Sequence, residues 1–315
     1  MIFYAITSSV ELGKISQVLV AQGFNNYAFI FLGVAFMLVA LGFKLSLIPF
    51  HSWVLDVYER TTAAFAGFLA VVPKIAAFVV VLRFFEIFIS VNDTYVQMLL
   101  YVIAVLTMSI ANLIALIQTD IKKMLAFSSI SHAGFVLTAI FIGSSQATSA
   151  IFLYWILFSI SNIGIFAMLW INRNKEASIN GYAQNSLDQY LGFAKKSPIA
   201  AVVIALFLLS LAGIPPFSLF WGKFYLISAA VNMDYIYLAL IMVINSAVAA
   251  YYYIKPIVYM FFKEAVQVEN DQILSNESRM SKVVIITFML LTLASIFLVE
   301  PLIKIISYYV GLSGY

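Results

Sequence analysis

Apolar residues in this chain come in runs of about twenty, and short polar stretches separate the runs. A helix rises 1.5 Å per residue, so about twenty apolar residues cross a hydrocarbon core roughly 30 Å thick. A membrane β-barrel would instead show short segments in which polar and apolar residues alternate, and no such alternation is present. The pattern therefore predicts an all-α polytopic membrane protein.

Eight full-length helices and an N-terminal stub account for the runs. The predicted helices cover residues 27–57, 62–89, 95–118, 121–143, 148–172, 198–231, 235–262 and 282–308. Residues 1–7 are apolar but too few to span, and a polar stretch follows them up to residue 26. We expect residues 1–26 to be the end of a truncated helix and an outer loop, and residues 1–315 to form a single transmembrane domain.

Prolines interrupt two of the predicted helices in similar sequence contexts. Pro49 lies within the first helix, and Pro215 and Pro216 lie within the sixth. Because proline removes a backbone donor and clashes with the preceding turn, both helices should break. The two helices cross the membrane in opposite directions, which favours an inverted repeat over chance recurrence of a short motif. The expected parts are the remainder of a first repeat at 27–89, a second repeat at 95–262 and a C-terminal helix at 282–308.

Three lysines lie inside the predicted spans. Lys44 precedes the first break, Lys223 follows the second, and Lys74 lies in the middle of another helix. A charged side chain at the bilayer centre costs roughly 2.5–3.5 kcal/mol on insertion scales, so a function is expected for each. The alternative is that a lysine side chain extends to the headgroups, and we favour this interpretation for Lys122, Lys255 and Lys304.

Histidine and hydroxyl side chains accompany these lysines. His51 adjoins the first break, and His132 follows three serines in its helix. A buried lysine gains or releases a proton when the burial and charge that set its pKa change, which suits a proton relay. A structural histidine and serines that serve helix packing remain the alternatives. The predicted relay consists of Lys44, Lys74, Lys223, His132 and His51.

Composition excludes several kinds of site. Hydrophobic residues make up 64% of the chain and charged residues 10%, far from the balance of a soluble domain. The net charge of +3 is spread along the chain without a basic block, so nucleic acid is not an expected partner. The chain has no cysteine, no metal-ligand spacing between its two histidines and no glycine-rich phosphate loop. We therefore expect no cofactor in this chain.

Lysine and arginine concentrate in alternate connections, which predicts the orientation because cytoplasmic loops hold the excess of these residues. One side carries Arg60, Lys122, Lys123, Arg173, Lys175, Lys195, Lys196, Lys263, Arg279 and Lys282. The other side carries Lys14, Arg83 and Lys304. We expect the first side to be cytoplasmic and the C-terminus to lie on the outer side of a bacterial inner membrane.

Several motifs together resemble one family. They are FKLSLIPFHSW at 43–53, DVY at 56–58, PKIAAF at 73–78, DIKKMLAFSSISH at 120–132 and SLAGIPP at 210–216. This set resembles the antiporter-like subunits of complex I, the respiratory NADH:quinone oxidoreductase, over almost the whole chain. The motif GKFY at 222–225 favours one of the three antiporter-like subunits over the other two. The resemblance implies that Lys44, Lys74 and Lys223 are central lysines, with His132 in the polar axis between them.

The resemblance also implies a function. The expected protein is a proton-translocating subunit that couples electron transfer from NADH to quinone to proton pumping and performs no redox chemistry itself. NADH, FMN, iron–sulfur clusters and quinone are then cofactors of the complex, and the partners are its other membrane subunits and the lipid bilayer. The alternatives are a subunit of a cation/proton antiporter and a non-conducting truncated scaffold.

Two features depart from the family pattern. The family usually continues after Glu59 with a glycine, a proline and small residues, whereas this chain has Arg60, Thr61 and Thr62. By the resemblance, the chain begins late in the sixth of fourteen helices. We therefore expect the first five helices to be absent, together with the glutamate that pairs with the lysine matched by Lys44.

Overall fold

The computed structural model describes residues 1–21, 27–90, 94–172, 186–264 and 279–313. These residues form thirteen α-helices and one short 3-10 helix, Leu187–Tyr190, and they contain no β-strand. The helices are α1 Ile2–Thr7, α2 Leu12–Ala21, α3 Tyr27–Leu45, α4 Ser52–Arg60, α5 Ala63–Ser90, α6 Thr94–Ile117, α7 Ile121–Ile142, α8 Ser145–Ile171, α9 Phe193–Lys196, α10 Pro198–Ala212, α11 Ser218–Asn232, α12 Ile236–Phe262 and α13 Arg279–Leu312.

Seven described helices are long and apolar enough to cross a membrane, namely α3, α5, α6, α7, α8, α12 and α13. The eighth predicted span consists of the two shorter helices α10 and α11. The all-α membrane fold is therefore confirmed, with helix ends that differ from the predicted ends by a few residues.

Both predicted breaks are present and begin in the same way. Helix α3 ends at Leu45, and Ser46 then takes a left-handed conformation with φ 63°. Helix α10 ends at Ala212, and Gly213 takes the same conformation with φ 74°. Each left-handed residue turns the chain out of its helix shortly before the prolines, and the helical direction resumes at α4 and α11. The two broken helices are thus confirmed.

The prediction of a loop within residues 1–26 is wrong for residues 12–21, because these residues form helix α2. Ile15 and Leu19 stand one turn apart on this helix and are both buried. Lysine, serine and glutamine interrupt the apolar residues of this segment, and the apolar residues have the spacing that lets a short helix pack one face against the bundle.

Helix α7 lies at the centre of the described bundle. Every residue of this helix except Lys123 is buried, and helices α4, α5, α6, α8, α11 and α12 all pack against it. The Asp120 carboxylate accepts a hydrogen bond from the Lys123 backbone N–H at 2.9 Å and caps the start of the helix. Gly143 ends it in a left-handed conformation with φ 65°. The polar residues of α7 are consequently enclosed by protein on all sides.

The Lys122 side chain does not extend to the headgroups as predicted. It is buried, and its Nζ atom donates to the backbone oxygen of Glu59 at 3.3 Å and to that of Thr61. The last carbonyls of a helix lack intrahelical partners and attract positive charge. Lys122 therefore binds the C-terminal end of α4, in the loop where the sequence departs from the family pattern.

Candidate functional site

Lys74 lies in the interior of α5 and is bound by α7. Its side chain is 2% exposed. The Nζ atom donates to the Ser129 backbone oxygen at 3.0 Å and to the Ser129 Oγ atom at 2.9 Å. The Ser129 hydroxyl in turn donates to the backbone oxygen of Ala126 at 2.8 Å, which leaves its lone pairs directed at the lysine. Lys74 is thus held by neutral oxygen acceptors.

Lys223 is bound by the second break. Its side chain is 4% exposed, and its Nζ atom donates to the backbone oxygen of Ala212, the last residue of α10, at 2.8 Å. The same Nζ atom lies 5.7 Å from the centre of the Phe135 ring on α7. A Cβ atom added at Gly213 would lie 3.0–3.2 Å from Cδ, Cε and Nζ of Lys223. The lysine therefore folds back across Gly213 to cap the broken end of α10.

His132 lies on α7 between two tyrosine hydroxyls. Its Nδ1 atom is 2.5 Å from the Tyr154 hydroxyl on α8, and its Nε2 atom is 3.0 Å from the Tyr253 hydroxyl on α12. A neutral imidazole has one donor and one acceptor nitrogen, so it satisfies both contacts with one tyrosine donating and the other accepting.

These contacts bring three of the predicted relay residues together around α7. Neither Lys74 nor Lys223 pairs with a carboxylate among the described residues. Helix α11 approaches α8 closely at Gly222, because a Cβ atom there would lie 3.1 Å from Cδ2 of Tyr154. Tyr154 therefore links His132 to the helix that carries Lys223.

The other two predicted relay residues lie apart from this group. Lys44 lies at the end of α3, and its side chain is exposed in the part of the chain that the structure describes. The prediction that Lys44 is buried is therefore wrong for this part of the chain. Apolar neighbours in the sequence do not fix which face of a helix a residue occupies, since lipid-facing residues are apolar too. His51 is partly buried beside the first break, its ring centre 6.4 Å from that of Phe127.

The tyrosines were not predicted from the sequence. The chain contains 18 tyrosines, so their type alone gives no signal for Tyr154 and Tyr253. Asn162 was missed as well: it is buried on α8, and neither its Nδ2 nor its Oδ1 atom has a partner among the described residues. Asparagine is rare enough in an apolar span to have been a usable signal.

The donor set does not fit a metal or an iron–sulfur cluster. The described residues contain no group of three or more His, Asp or Glu side chains that could hold a metal ion, and the chain has no cysteine. Cysteine thiolates are the usual ligands of iron–sulfur clusters.

Comparison with known families gives one match that covers most of the chain. The family model described as NADH:quinone oxidoreductase/Mrp antiporter, TM matches residues 1–249.

The curated relatives are all subunit N, the antiporter-like subunit that the motif at 222–225 favours. The NADH-quinone oxidoreductase subunit N of Sulfurimonas denitrificans is 50% identical over 100% of this chain and 63% of its own length. That of Sulfurovum sp. is 46% identical over 100% of this chain and 64% of its own length. That of Helicobacter hepaticus is 44% identical over 98% of this chain and 63% of its own length. The chain thus spans just under two thirds of the length of these relatives.

Two solved structures share the fold. A chain of the respiratory complex I from Thermus thermophilus matches with a TM-score of 0.75 and 26% identity, over 96% of this chain and 63% of its own length. A chain of the Mrp complex from Dietzia sp. matches with a TM-score of 0.79 and 20% identity, over 98% of this chain and 63% of its own length. At 20% identity, the second match bears on the fold alone.

Proposed function

Because the chain belongs to the NADH:quinone oxidoreductase/Mrp antiporter transmembrane family, we propose that it moves protons across a membrane as subunit N of an NADH:quinone oxidoreductase. Electron transfer from NADH to quinone takes place in other subunits of that complex, and coupling from those subunits drives this chain. Its partners are the other membrane subunits and the lipid bilayer. The names of the most similar relatives support this assignment.

The observation that carries the proposal is the pair of buried lysines without carboxylate partners. Burying an isolated charge costs several kcal/mol unless it is paired, so an ammonium at either position is poorly stabilised. The acceptors of Lys74 and Lys223 are backbone and hydroxyl oxygens. A neutral amine still has two N–H donors for those oxygens. Each lysine can therefore lose and regain a proton without losing its contacts.

Hydroxyl and imidazole groups offer a path between the two lysines. Ser129 contacts Lys74, and the adjacent Ser128 interacts with the Tyr253 hydroxyl. Tyr253 contacts His132, and His132 contacts Tyr154 beside the helix of Lys223. Each of these groups both donates and accepts, which is the property that lets a proton pass along a hydrogen-bonded file. Lys44 and His51 extend the path toward the exposed end of α3 in this proposal.

Membrane orientation is part of the proposal. The lysine and arginine asymmetry supports a cytoplasmic location for the loops after α6 and α12, and an outer location for the end of α13, in a bacterial inner membrane. Arg173 and Lys175, which contribute to the asymmetry, lie outside the described residues.

A cation/proton antiporter is the second candidate, because the family description names the Mrp antiporter as well. The same lysines and broken helices would serve it. Transport that depends on sodium in membranes lacking NADH oxidation would favour this candidate. Proton pumping that strictly follows NADH oxidation would favour the first.

The test replaces Lys74 or Lys223 by alanine in the assembled complex, in membranes where NADH oxidation and proton pumping are measured together. We expect each variant to assemble and to pump fewer protons per NADH oxidised. Lys195→Ala is the matched control, because Lys195 is exposed and its ion pair with Glu264 lies at the surface. Unchanged pumping in both variants would contradict the proposal, and loss of assembly in both would favour a scaffold.

A further inference from the structure

A second buried polar cluster joins α6 to α12. The Tyr252 hydroxyl donates to the Asn112 Oδ1 atom at 3.0 Å. The Asn112 Nδ2 atom donates to the backbone oxygen of Asn245 at 3.1 Å and to its Oδ1 atom at 3.0 Å. The Asn245 Nδ2 atom donates to the Ser109 Oγ atom at 3.1 Å and to the backbone oxygen of Ile241 at 3.0 Å. We call Asn112, Asn245 and Tyr252 the amide clasp.

The amide clasp is fully satisfied. Asn112, Asn245 and Tyr252 are all buried, and both donor and acceptor atoms of each amide have partners. Interhelical hydrogen bonds stabilise helix pairs inside a membrane, and a buried polar atom left without its partner is costly. A single arrangement of the two helices satisfies every member, so the clasp specifies that arrangement.

The clasp lies next to the histidine site along α12. Tyr252 and Tyr253 are adjacent, with ring centres 4.6 Å apart. Tyr252 reaches α6 at Asn112, while Tyr253 reaches α7 at His132 Nε2, 3.0 Å away. The rotation of α12 about its axis therefore sets both contacts at once. Hydrogen bonds that fix Tyr252 on α6 also fix the Tyr253 hydroxyl against the imidazole.

Amide chemistry limits what the clasp can do. Lysine, histidine and tyrosine side chains titrate, whereas the amide of asparagine has donors and an acceptor but does not exchange its protonation state at ordinary pH. His132 contacts the Tyr253 hydroxyl, the Tyr252 ring lies against that of Tyr253, and the Tyr252 hydroxyl donates to Asn112. The groups that can exchange a proton therefore end at Asn112. The clasp therefore orients the histidine site without extending its proton path toward the outer faces of α6 and α12.

We propose that Asn112 and Asn245 are positioning residues that hold the Tyr253 hydroxyl against Nε2 of His132 and terminate the proton path on this side. The effect of this positioning on proton pumping rests on the function proposed above. The positioning itself is a property of the chain and is measurable without pumping.

The first measurement uses the histidines as probes. The chain has two histidines, His51 and His132, so the complex can be assembled with this subunit alone carrying ¹⁵N-histidine. A His51→Asn variant then assigns the ring signals to His132. We expect Asn112→Leu to shift the His132 Nε2 resonance or split it into two, because Tyr252 loses its acceptor and α12 is free to rotate.

The matched control is Asn232→Leu. The Asn232 Nδ2 atom donates to the Gln146 Oε1 atom at 2.8 Å, an amide contact between α11 and α8 at the exposed end of the helices. Its loss should leave the His132 signals unchanged. If Asn112→Leu does not assemble, Asn245→Ser serves instead, since it keeps the backbone oxygen that accepts from Asn112. A His132 resonance identical to that of the unaltered chain in an assembled clasp variant would overturn the proposal.

The second measurement tests the end of the path with Asn112→Asp. Aspartate has nearly the same shape as asparagine but titrates, so it adds a proton-exchanging group where the file stops. We expect Asn112→Asp to let protons leak back through the assembled complex, and Asn112→Leu to lower pumping without a leak. Equal leaks in the two variants would refute the termination of the path. A shifted His132 signal together with normal pumping would keep the positioning and count against the proposed function.

Discussion

Gly213 supports the second break in two ways that one substitution tests. Its φ of 74° is a conformation that costs a residue with a Cβ atom about 1–2 kcal/mol. The added Cβ atom of Gly213→Ala would also lie 3.0–3.2 Å from three side-chain atoms of Lys223, so the lysine must move. The displaced Nζ atom would lose or lengthen its 2.8 Å hydrogen bond to Ala212.

We therefore expect two effects of Gly213→Ala in the assembled complex. Stability should fall by roughly 1–2 kcal/mol from backbone strain alone, measured as a lower midpoint of denaturation. Protons pumped per NADH oxidised should fall as well, because Lys223 leaves its position at the end of α10. The second effect should vanish when Lys223 is already alanine, since interacting residues are not additive in a double-mutant cycle.

Gly143→Ala is the control that separates strain from lysine displacement. Gly143 ends α7 with φ 65°. The Cβ atom added by Gly143→Ala would lie 2.3 Å from Ile89 Cγ2 on α5, and no lysine atom is among its nearest neighbours. The substitution should therefore destabilise the protein at least as much as Gly213→Ala. Pumping per NADH in the Gly143 variant should match that of the unaltered protein. If the two variants lower pumping equally, the loss reflects stability alone and the proposed role of Lys223 at the break is wrong.

Two further predictions concern the first lysine and the orientation. Ser129→Ala removes one of the two oxygen acceptors of Lys74, so it should lower the number of protons pumped per NADH. The control Ser161→Ala breaks a buried hydroxyl pair with Ser210 and should leave that number unchanged. Equal effects of the two variants would argue against a specific role of Ser129. Lys195 and Asp234 are both exposed in this cysteine-free chain. Single cysteines at these positions should react with an impermeant thiol reagent from opposite sides of the membrane, the cysteine at position 195 from the cytoplasm. Reaction of both from the same side would refute the predicted topology.

The elements that sequence predicted well are those decided by local chemistry. Runs of apolar residues long enough to span a bilayer became helices such as α5 and α6, because a helix satisfies its backbone hydrogen bonds within one segment in lipid. Pro49 and Pro215 marked the breaks, but proline alone does not decide them, because Pro73 lies inside the continuous helix α5. The N-terminal helix α2 was missed because its segment lacks the length and the continuous apolar run on which the other predictions depended.

The partners within the site could not be predicted in the same way. Lys44 and Lys74 both stand among apolar residues in the sequence, yet the first is exposed and the second is buried. In a membrane protein, both the lipid-facing and the core-facing sides of a helix are apolar, so hydrophobicity does not distinguish them. The contacts of His132 come from residues 22 and 121 positions away in the sequence, and the packing of whole helices determines that pairing.

Three buried lysines in the chain differ in the groups that surround them. Lys74, Lys122 and Lys223 all donate to backbone oxygens, and all are almost completely enclosed. Lys122 donates to backbone oxygens at the end of α4, beside the Glu59 carboxylate that pairs with the neighbouring Lys123 at 2.9 Å. The partners of Lys74 and Lys223 among the described residues are backbone and hydroxyl oxygens, with no carboxylate paired to either lysine. On the function proposed above, we therefore assign Lys122 the role of a helix cap and Lys74 and Lys223 the role of proton carriers.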